Sequence, residues 1–244
     1  MTPAPIGAQA STLDGSKLRA VLVDLDGTLL DTVPDLAVAA NAMLLELRRP
    51  ELPIETIRSY IGRGVPNLVK RCLAGRIDAA DEPSMAPADA LEIFQRQYHA
   101  SNGRHSTIYP GVVEGLRKFK AQGLRLACIT NKAEAFTLPL LERSGLLGHF
   151  EVVVSGDMLP RQKPDPMQLV WICGRFDIRP HEMLLIGDSL NDAKAARAAG
   201  CPVFIVPYGY NEGEDVRKLD CDAIVSTLDE AADRIYAPEG IQPV

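Results

Sequence analysis

The feature that most constrains this 244-residue chain is a short apolar run that stops at a pair of carboxylates. Leu18-Arg19-Ala20-Val21-Leu22-Val23 is nearly continuous in apolar side chains and ends at Asp24-Leu25-Asp26-Gly27-Thr28. Such a run, without polar alternation, reads as a buried strand of a parallel sheet running into a loop. Chemistry is then expected at its carboxyl end, in the crevice where such sheets bind ligands.

The second half of the chain repeats the pattern. After Tyr109-Pro110-Gly111, helical periodicity over Val112 to Gln122 gives way to a strand at Leu124 to Thr130, a helix over Phe136 to Gly145 and a strand at Val152 to Ser155. A helix over Met167 to Phe176, a strand at Met183 to Gly187, a helix over Asn191 to Gly200 and a strand at Pro202 to Val206 follow. Repeated strand-helix units imply an α/β fold with a doubly wound parallel sheet and helices on both faces. Residues 34–108 differ: Ala37, Ala40, Leu44 and Leu47 share a helical face, Leu91, Phe94, Gln95 and Tyr98 do so less cleanly, and no strand is evident. That stretch is expected to be an inserted all-helical domain. Residues 18–33 and 109–244 then form the core, and residues 1–17, small and polar with two prolines, a flexible tail.

At 46% hydrophobic residues the chain can bury one large core and a smaller one. A net charge of -6 argues against nucleic acid or an anionic membrane as the main partner, though local cations can still bind a small anion. Cys72, Cys128, Cys173, Cys201 and Cys221 are scattered and odd in number, so reduced apolar fillers are expected rather than disulfides or a zinc site. The four histidines have no ligand spacing. Neither a secretory signal nor a membrane span is evident, so the expected compartment is the cytoplasm.

Asp24 and Asp26 alternate at a strand end, where both side chains can face one crevice and hold a cation or raise one another's pKa. Gly27 permits a tight turn and close approach of a ligand, and Thr28 adds a hydroxyl; the pentapeptide alone is equally a capped loop. Thr130-Asn131 ends a later strand and can offer a hydroxyl and amides to a phosphate, or merely cap a helix. Lys163 lies in a loop stiffened by Pro164 and Pro166, where a lysine is commonly just solvated. Gly187-Asp188-Ser189-Leu190-Asn191-Asp192 ends a strand and opens a helix, and the four-residue spacing puts Asp188 and Asp192 on one helical face, suited to magnesium.

In this order the elements resemble the haloacid dehalogenase superfamily, whose signature runs DxDGT, Ser/Thr, Lys, then GDxxxD, and the likeness covers essentially the whole chain outside the tail. The helical insert is similar to that superfamily's first type of cap. Ile61-Gly62-Arg63-Gly64, Tyr109-Pro110-Gly111-Val112, Thr130-Asn131-Lys132, Ser155-Gly156-Asp157 and Val206-Pro207-Tyr208-Gly209-Tyr210-Asn211 resemble the phosphoglycolate phosphatases within it, with Arg63 where many members have Asn.

The resemblance implies a magnesium-dependent phosphatase of a small phosphorylated metabolite, with no nucleic acid or membrane partner, acting as monomer or homodimer. Asp24 is the implied nucleophile, and Asp26 the acid for the leaving group and the base for water. Thr130 and Lys163 are implied to neutralise the phosphoryl oxygens; Gly27, Thr28, Asn131 and Arg63 join the substrate-binding set. Asp24, Asp26 through its backbone carbonyl, and Asp188 would hold Mg2+, with Asp192 behind them. Removing Lys163 is expected to slow turnover without unfolding the chain. Lys70 and Arg71 are further candidates for a substrate carboxylate, or solvated surface. A sugar-phosphate or nucleotide phosphatase, a phosphomutase, and, from another class, a phospho-accepting signalling module remain alternatives; the insert and Asp26 speak against the last.

Overall fold

The computed structural model describes residues 13–61, 64–81, 89–211, 213 and 215–236. The chain enters through β1 (Ala20–Val23) and a short β2 (Leu30–Asp31), then passes into α1 (Val33–Glu46), α2 (Ile54–Tyr60), α3 (Val65–Ala74) and α4 (Ala90–Ser101). It returns through β3 (Thr107–Ile108) and alternates: α5 (Val112–Ala121), β4 (Arg125–Ile129), α6 (Glu134–Arg143), β5 (Val152–Val154), α7 (Met167–Phe176), β6 (Met183–Gly187), α8 (Leu190–Ala199) and β7 (Val203–Ile205). Finally β8 (Ala223–Ile224) and α9 (Leu228–Tyr236) close the fold.

Six strands form one parallel sheet in the order β5-β4-β1-β6-β7-β8. The winding proceeds outward from β1 in one direction and then restarts on its other side at β6. The crevice where the winding reverses lies beyond the carboxyl ends of β1 and β6, the place such sheets bind ligands.

Period-two alternation sorts the strand residues between two cores. Val21 and Val23 of β1, Leu126 and Cys128 of β4, and Leu184 and Ile186 of β6 face one layer with α5, α6 and α9. Ala20, Leu22, Ala127, Ile129, Met183 and Leu185 face the other, covered by α7 and α8. Every residue of β1 and β6 is buried, as a continuous apolar run requires. Four cysteines are buried, Cys221 is partly so, and all five are free thiols. Among the described residues no helix is long and apolar enough to cross a membrane.

The insert packs around a third cluster, which includes Ala40, Met43, Leu44, Ile57, Leu68 and Phe94 and is joined by Phe136 of α6 from the sheet half. Ala37, Ala40 and Leu44 do lie on the buried face of α1. Its stem is not purely helical, as the sequence suggested: β2 pairs antiparallel with β3 through Leu30 with Ile108 and Asp31 with Thr107. The Asp35 carboxylate, fully buried in α1, accepts from the amides of Gly103 (2.8 Å), His105 (2.8 Å) and Ser106 (3.1 Å), so the exit of the insert is fastened to its entry.

Of the expected flexible tail, residues 1–12 lie outside the described residues, and residues 13–17 are ordered against the core. Asp14 caps a 3-10 turn at Gly15–Lys17, and Gly15 is buried against the Ile235 backbone, where a Cβ would have no room. Neither β8 nor α9 was among the elements expected from the sequence. Leu228, Ala231, Ala232 and Ile235 of α9 nonetheless repeat at helical spacing and finish the cover of the first layer.

Candidate active site

The ladder between β1 and β6 pairs Val23 with Ile186, and the Asp24 amide still donates to the Ile186 carbonyl at 2.9 Å. Asp24 and Asp188 therefore leave neighbouring strands side by side. The loop after β1 folds back on itself, with Leu25 and Leu29 sunk in the core, and this turns Asp24 and Asp26 into a common cavity.

Asp24 Oδ1 accepts from the Leu25 amide at 2.8 Å and pairs with Lys163 Nζ at 2.8 Å, while its Oδ2 takes no hydrogen bond among the described residues. Lys163 is not a solvated loop lysine: it is buried, pairs with Asp192 at 2.7 Å and donates to the Ile129 carbonyl at 3.3 Å. Removal of its ammonium would strand two buried carboxylates, so the expectation that Lys163 matters to turnover alone is corrected. Asp24, Asp188 and Asp192 present oxygens within 4.8 Å of one another.

The route by which Asp188 and Asp192 meet differs from the one the spacing suggested. Asp188 precedes the N-cap Ser189 and is not helical; Asp192 is the third residue of α8 and accepts from the Ser189 amide (3.1 Å) and hydroxyl (2.6 Å). A strand end and a capping box bring them together, not one helical face. Asp188 itself fills a slot between two glycines, since a Cβ on Gly27 or on Gly209 would lie 2.1 Å from its Oδ2. Gly27 has φ +85°, the left-handed turn that favours glycine. Its close neighbour is thus Asp188 rather than a ligand. Thr28 is fully buried, with its hydroxyl 3.5 Å from Asp188 Oδ1, and neither Gly27 nor Thr28 lines the cavity, contrary to their place in the expected substrate-binding set.

Burial dominates the electrostatics. It pushes the Asp24 carboxyl up to about 7, with Lys163 opposing and Asp192 and Asp26 adding to the shift. Burial, then Asp192 and Asp24, hold Asp188 well above the ordinary carboxylate range. Burial alone would lower the Lys163 ammonium, yet Asp192 and Asp24 keep it above its usual value. Three buried carboxylates sharing one ammonium carry excess negative charge, and an all-oxygen donor set of this kind fits a hard divalent cation.

The Asp26 carboxylate lies outside this cluster. Its Oδ1 accepts from the Thr32 hydroxyl at 2.6 Å and pairs with Lys132 Nζ at 2.8 Å, while Oδ2 takes no hydrogen bond among the described residues. Asp26 among the expected metal residues therefore stands only for its backbone carbonyl. Lys132 was missed as a site residue, although it follows Thr130-Asn131 directly. Burial would lower its ammonium, and Asp26 holds it raised. Tyr210 was missed as well: its amide donates to Asp188 Oδ2, and its phenol accepts from the Thr32 amide (2.7 Å) and donates to Asp31 Oδ1 (2.6 Å). Arg58 of α2 pairs with the other Asp31 oxygen at 3.3 Å.

The cavity has a volume of about 530 Å³, within the range that holds a small metabolite. Thr130, Asn131, Lys132 and Lys163 line its sheet side, and Gly64 to Leu68 at the start of α3 line the insert side. The Asn131 side-chain amide donates to the Lys163 carbonyl at 2.8 Å, which joins the two loops. Arg63 lies outside the described residues. Arg71 is buried inside the insert, donating to the carbonyls of Ile77 (2.8 Å) and Tyr60 (2.7 Å), and Lys70 does not line the cavity. The arrangement can present one carboxylate oxygen to an electrophile, neutralise charge beside it, and hold a second carboxyl two residues away for proton transfer.

Residues 18–200 match the sequence profile of the haloacid dehalogenase-like hydrolases. A phosphoglycolate phosphatase of Nitrosospira multiformis is 60% identical over 214 residues, 88% of this chain and 94% of that protein. One from Thiobacillus denitrificans is 57% identical over 215 residues, with 88% and 94% covered. Among solved structures, a predicted phosphoglycolate phosphatase from Haemophilus somnus superposes with a TM-score of 0.80 at 32% identity, covering 88% of this chain and 96% of that one. The switch-point carboxylates, the buried lysine and these likenesses agree: the chain belongs to the haloacid dehalogenase-like hydrolase family.

Proposed function

We propose that this protein is a phosphatase that hydrolyses 2-phosphoglycolate to glycolate and phosphate, through an aspartyl-phosphate on Asp24, with Mg2+ as cofactor. The observation that carries this reading is the split use of two carboxylates. Asp24 has Oδ1 held by Leu25 and Lys163 and Oδ2 open, while two residues on Asp26 has Oδ1 held by Thr32 and Lys132 and Oδ2 open. In the first step Asp24 Oδ2 forms a bond to phosphorus, the ester P–O bond breaks, and Asp26 gives its proton to the departing glycolate oxygen. In the second, Asp26 takes a proton from water as the water oxygen bonds to phosphorus and the Asp24–phosphorus bond breaks.

Lys163, the Thr130 hydroxyl and the Asn131 amide neutralise the non-bridging oxygens, since phosphoryl transfer depends mainly on positioning and charge, while the Lys132 amide donates to the Thr130 hydroxyl oxygen at 3.1 Å and orients it. Asp24, Asp188 and the Asp26 carbonyl hold magnesium, with Asp192 orienting Lys163 behind them; when bound, the ion neutralises charge on the phosphoryl group. Residues 34–108 act as the cap that closes the cavity and limits the leaving group. The names of the relatives at 60% and 57% identity support the substrate.

The test is steady-state phosphate release with magnesium from 2-phosphoglycolate, sugar phosphates, nucleoside monophosphates and pyrophosphate, with Asp24→Asn as control. Preference for 2-phosphoglycolate that vanishes in the variant is the expected result. Release confined to a sugar phosphate or nucleotide would overturn the substrate and keep the mechanism, and no Asp24-dependent release would overturn both.

A further inference from the structure

Two cationic side chains line the cavity among the described residues, Lys132 and Lys163. Lys163 is fully engaged by Asp24, Asp192 and the Ile129 carbonyl. Lys132 is not. Its side chain is only 4% exposed, its ammonium makes one ion pair, with Asp26, and it sits over the face of Tyr98 at 4.8 Å from the ring centroid. The Tyr98 hydroxyl beside it is fully buried, and the polar group that reaches it is the Lys132 ammonium itself. An ammonium has three protons, and with one on Asp26 and one directed at Tyr98 the third is left for an acceptor in the cavity that Lys132 lines.

We propose that Lys132 is the specificity residue, binding the carboxylate of the leaving group and thereby selecting phosphate esters of short 2-hydroxy acids. This deepens the reading above and rests on it. The geometry limits the length of the acid. Asp26 Oδ2 meets the leaving oxygen, and Lys132 flanks Oδ1 of the same carboxyl at 2.8 Å. In a 2-hydroxy acid the carboxylate oxygens lie about 3 Å from the hydroxyl oxygen, a span set by three covalent bonds. An oxygen there can reach the ammonium while the leaving oxygen stays on Oδ2. Each added methylene carries the carboxylate farther along the cavity and breaks that coincidence. The same lysine then fixes Asp26 and reads the substrate, so an ester without the acid group leaves a buried cation incompletely paired, the situation that gives strong discrimination.

The experiment measures kcat and KM for the wild type, Lys132→Met and Lys132→Arg on 2-phosphoglycolate, ethyl phosphate and 3-phosphonooxypropionate. The wild type is expected to prefer the two-carbon acid over both others. Lys132→Met should lose activity on every ester because Asp26 loses its partner, but the preference for 2-phosphoglycolate over ethyl phosphate should fall about tenfold to a hundredfold further, chiefly through KM. Lys132→Arg, which keeps the charge, should retain part of that preference. Equal losses on both esters, with the ratio intact, would overturn the proposal and leave Lys132 as a positioning residue for Asp26. If Lys132→Met does not fold, the wild-type series decides: equal use of the three-carbon acid overturns the proposal. Wild-type indifference between 2-phosphoglycolate and ethyl phosphate would refute the substrate as well, whereas an intact ratio in the variants refutes Lys132 alone.

Discussion

Asp188→Asn should stabilise the metal-free protein while removing its response to magnesium. Asp188, Asp24 and Asp192 bring oxygens within 4.8 Å of each other, and at an effective dielectric of about 20 two like charges at that distance repel by about 3.5 kcal/mol. If Asp188 avoids the repulsion by taking a proton, holding an ordinary carboxyl neutral at pH 7 costs about 4 kcal/mol relative to the unfolded chain. Either way the folded state bears a cost that Asn does not. The amide oxygen of Asn can still accept from the Tyr210 amide, and its NH2 can face the rotatable Thr28 hydroxyl. Allowing for partial relaxation, the gain should be about 1–3 kcal/mol, a rise in melting temperature of about 3–9 °C for a chain of this size. The assay is thermal unfolding in chelator and in magnesium.

The sign with pH is fixed too. A carboxyl raised in the folded state, as Asp24 is from 3.8 to about 7 and as Asp188 is also, keeps a proton that the unfolded chain has released. This contribution to stability therefore falls as pH climbs from about 4 towards 7, and the advantage of Asp188→Asn should shrink near pH 4. A variant that melts below wild type in chelator at pH 7, or that gains as much from magnesium as wild type does, would refute the reasoning.

Lys163→Ala leaves Asp24 and Asp192 buried without their shared cation and should cost about 3–5 kcal/mol in chelator, read by denaturant unfolding, besides abolishing phosphate release. Gly209→Ala drives a methyl into the Asp188 side chain and the Gly27 carbonyl, so the carboxylate and the loop beside it must move; magnesium affinity by calorimetry should fall at least about tenfold and the melting temperature should drop, while circular dichroism keeps its α/β shape. Tyr210→Phe removes the acceptor of the buried Thr32 amide and should cost about 1–3 kcal/mol of stability. Unchanged stability in that variant would mean that the amide finds another partner.

The sequence made the sheet legible because its strands are apolar on both faces, and runs such as Met183 to Gly187 admit no other reading. Elements of two residues escaped it: β2, β3 and β8 are too short for any periodicity to register. At the site, the residues that spacing brought forward were those at strand ends, Asp24, Thr130 and Asp188. The role of Gly27 and Thr28 was obscured because only the folded chain reveals that Asp188, 160 residues past Thr28, occupies the space beside them. Lys132 and Tyr210 looked ordinary for a similar reason. Their significance lies in partners far away in the chain, Asp26 for one and Asp188, Thr32 and Asp31 for the other. Asp192 reaches the cluster by a geometry other than the one its four-residue spacing from Asp188 suggested, through a capping box with Ser189 three residues before it.

The fastening of the insert at its stem limits its degrees of freedom. β2 and β3 are hydrogen-bonded, and Asp35 grips the amides of Gly103, His105 and Ser106, so the two chain crossings cannot slide past one another. A second attachment lies beside the stem, where Tyr98 and His99 pack on Phe136 of α6 and the Asn102 side chain donates to the Phe136 carbonyl at 2.9 Å. Tyr210 joins the stem to the floor of the cavity: the phenol bonded at Asp31 and Thr32 and the amide bonded to Asp188 belong to one residue. A swing of the stem is transmitted to the carboxylate cluster within the length of one tyrosine side chain.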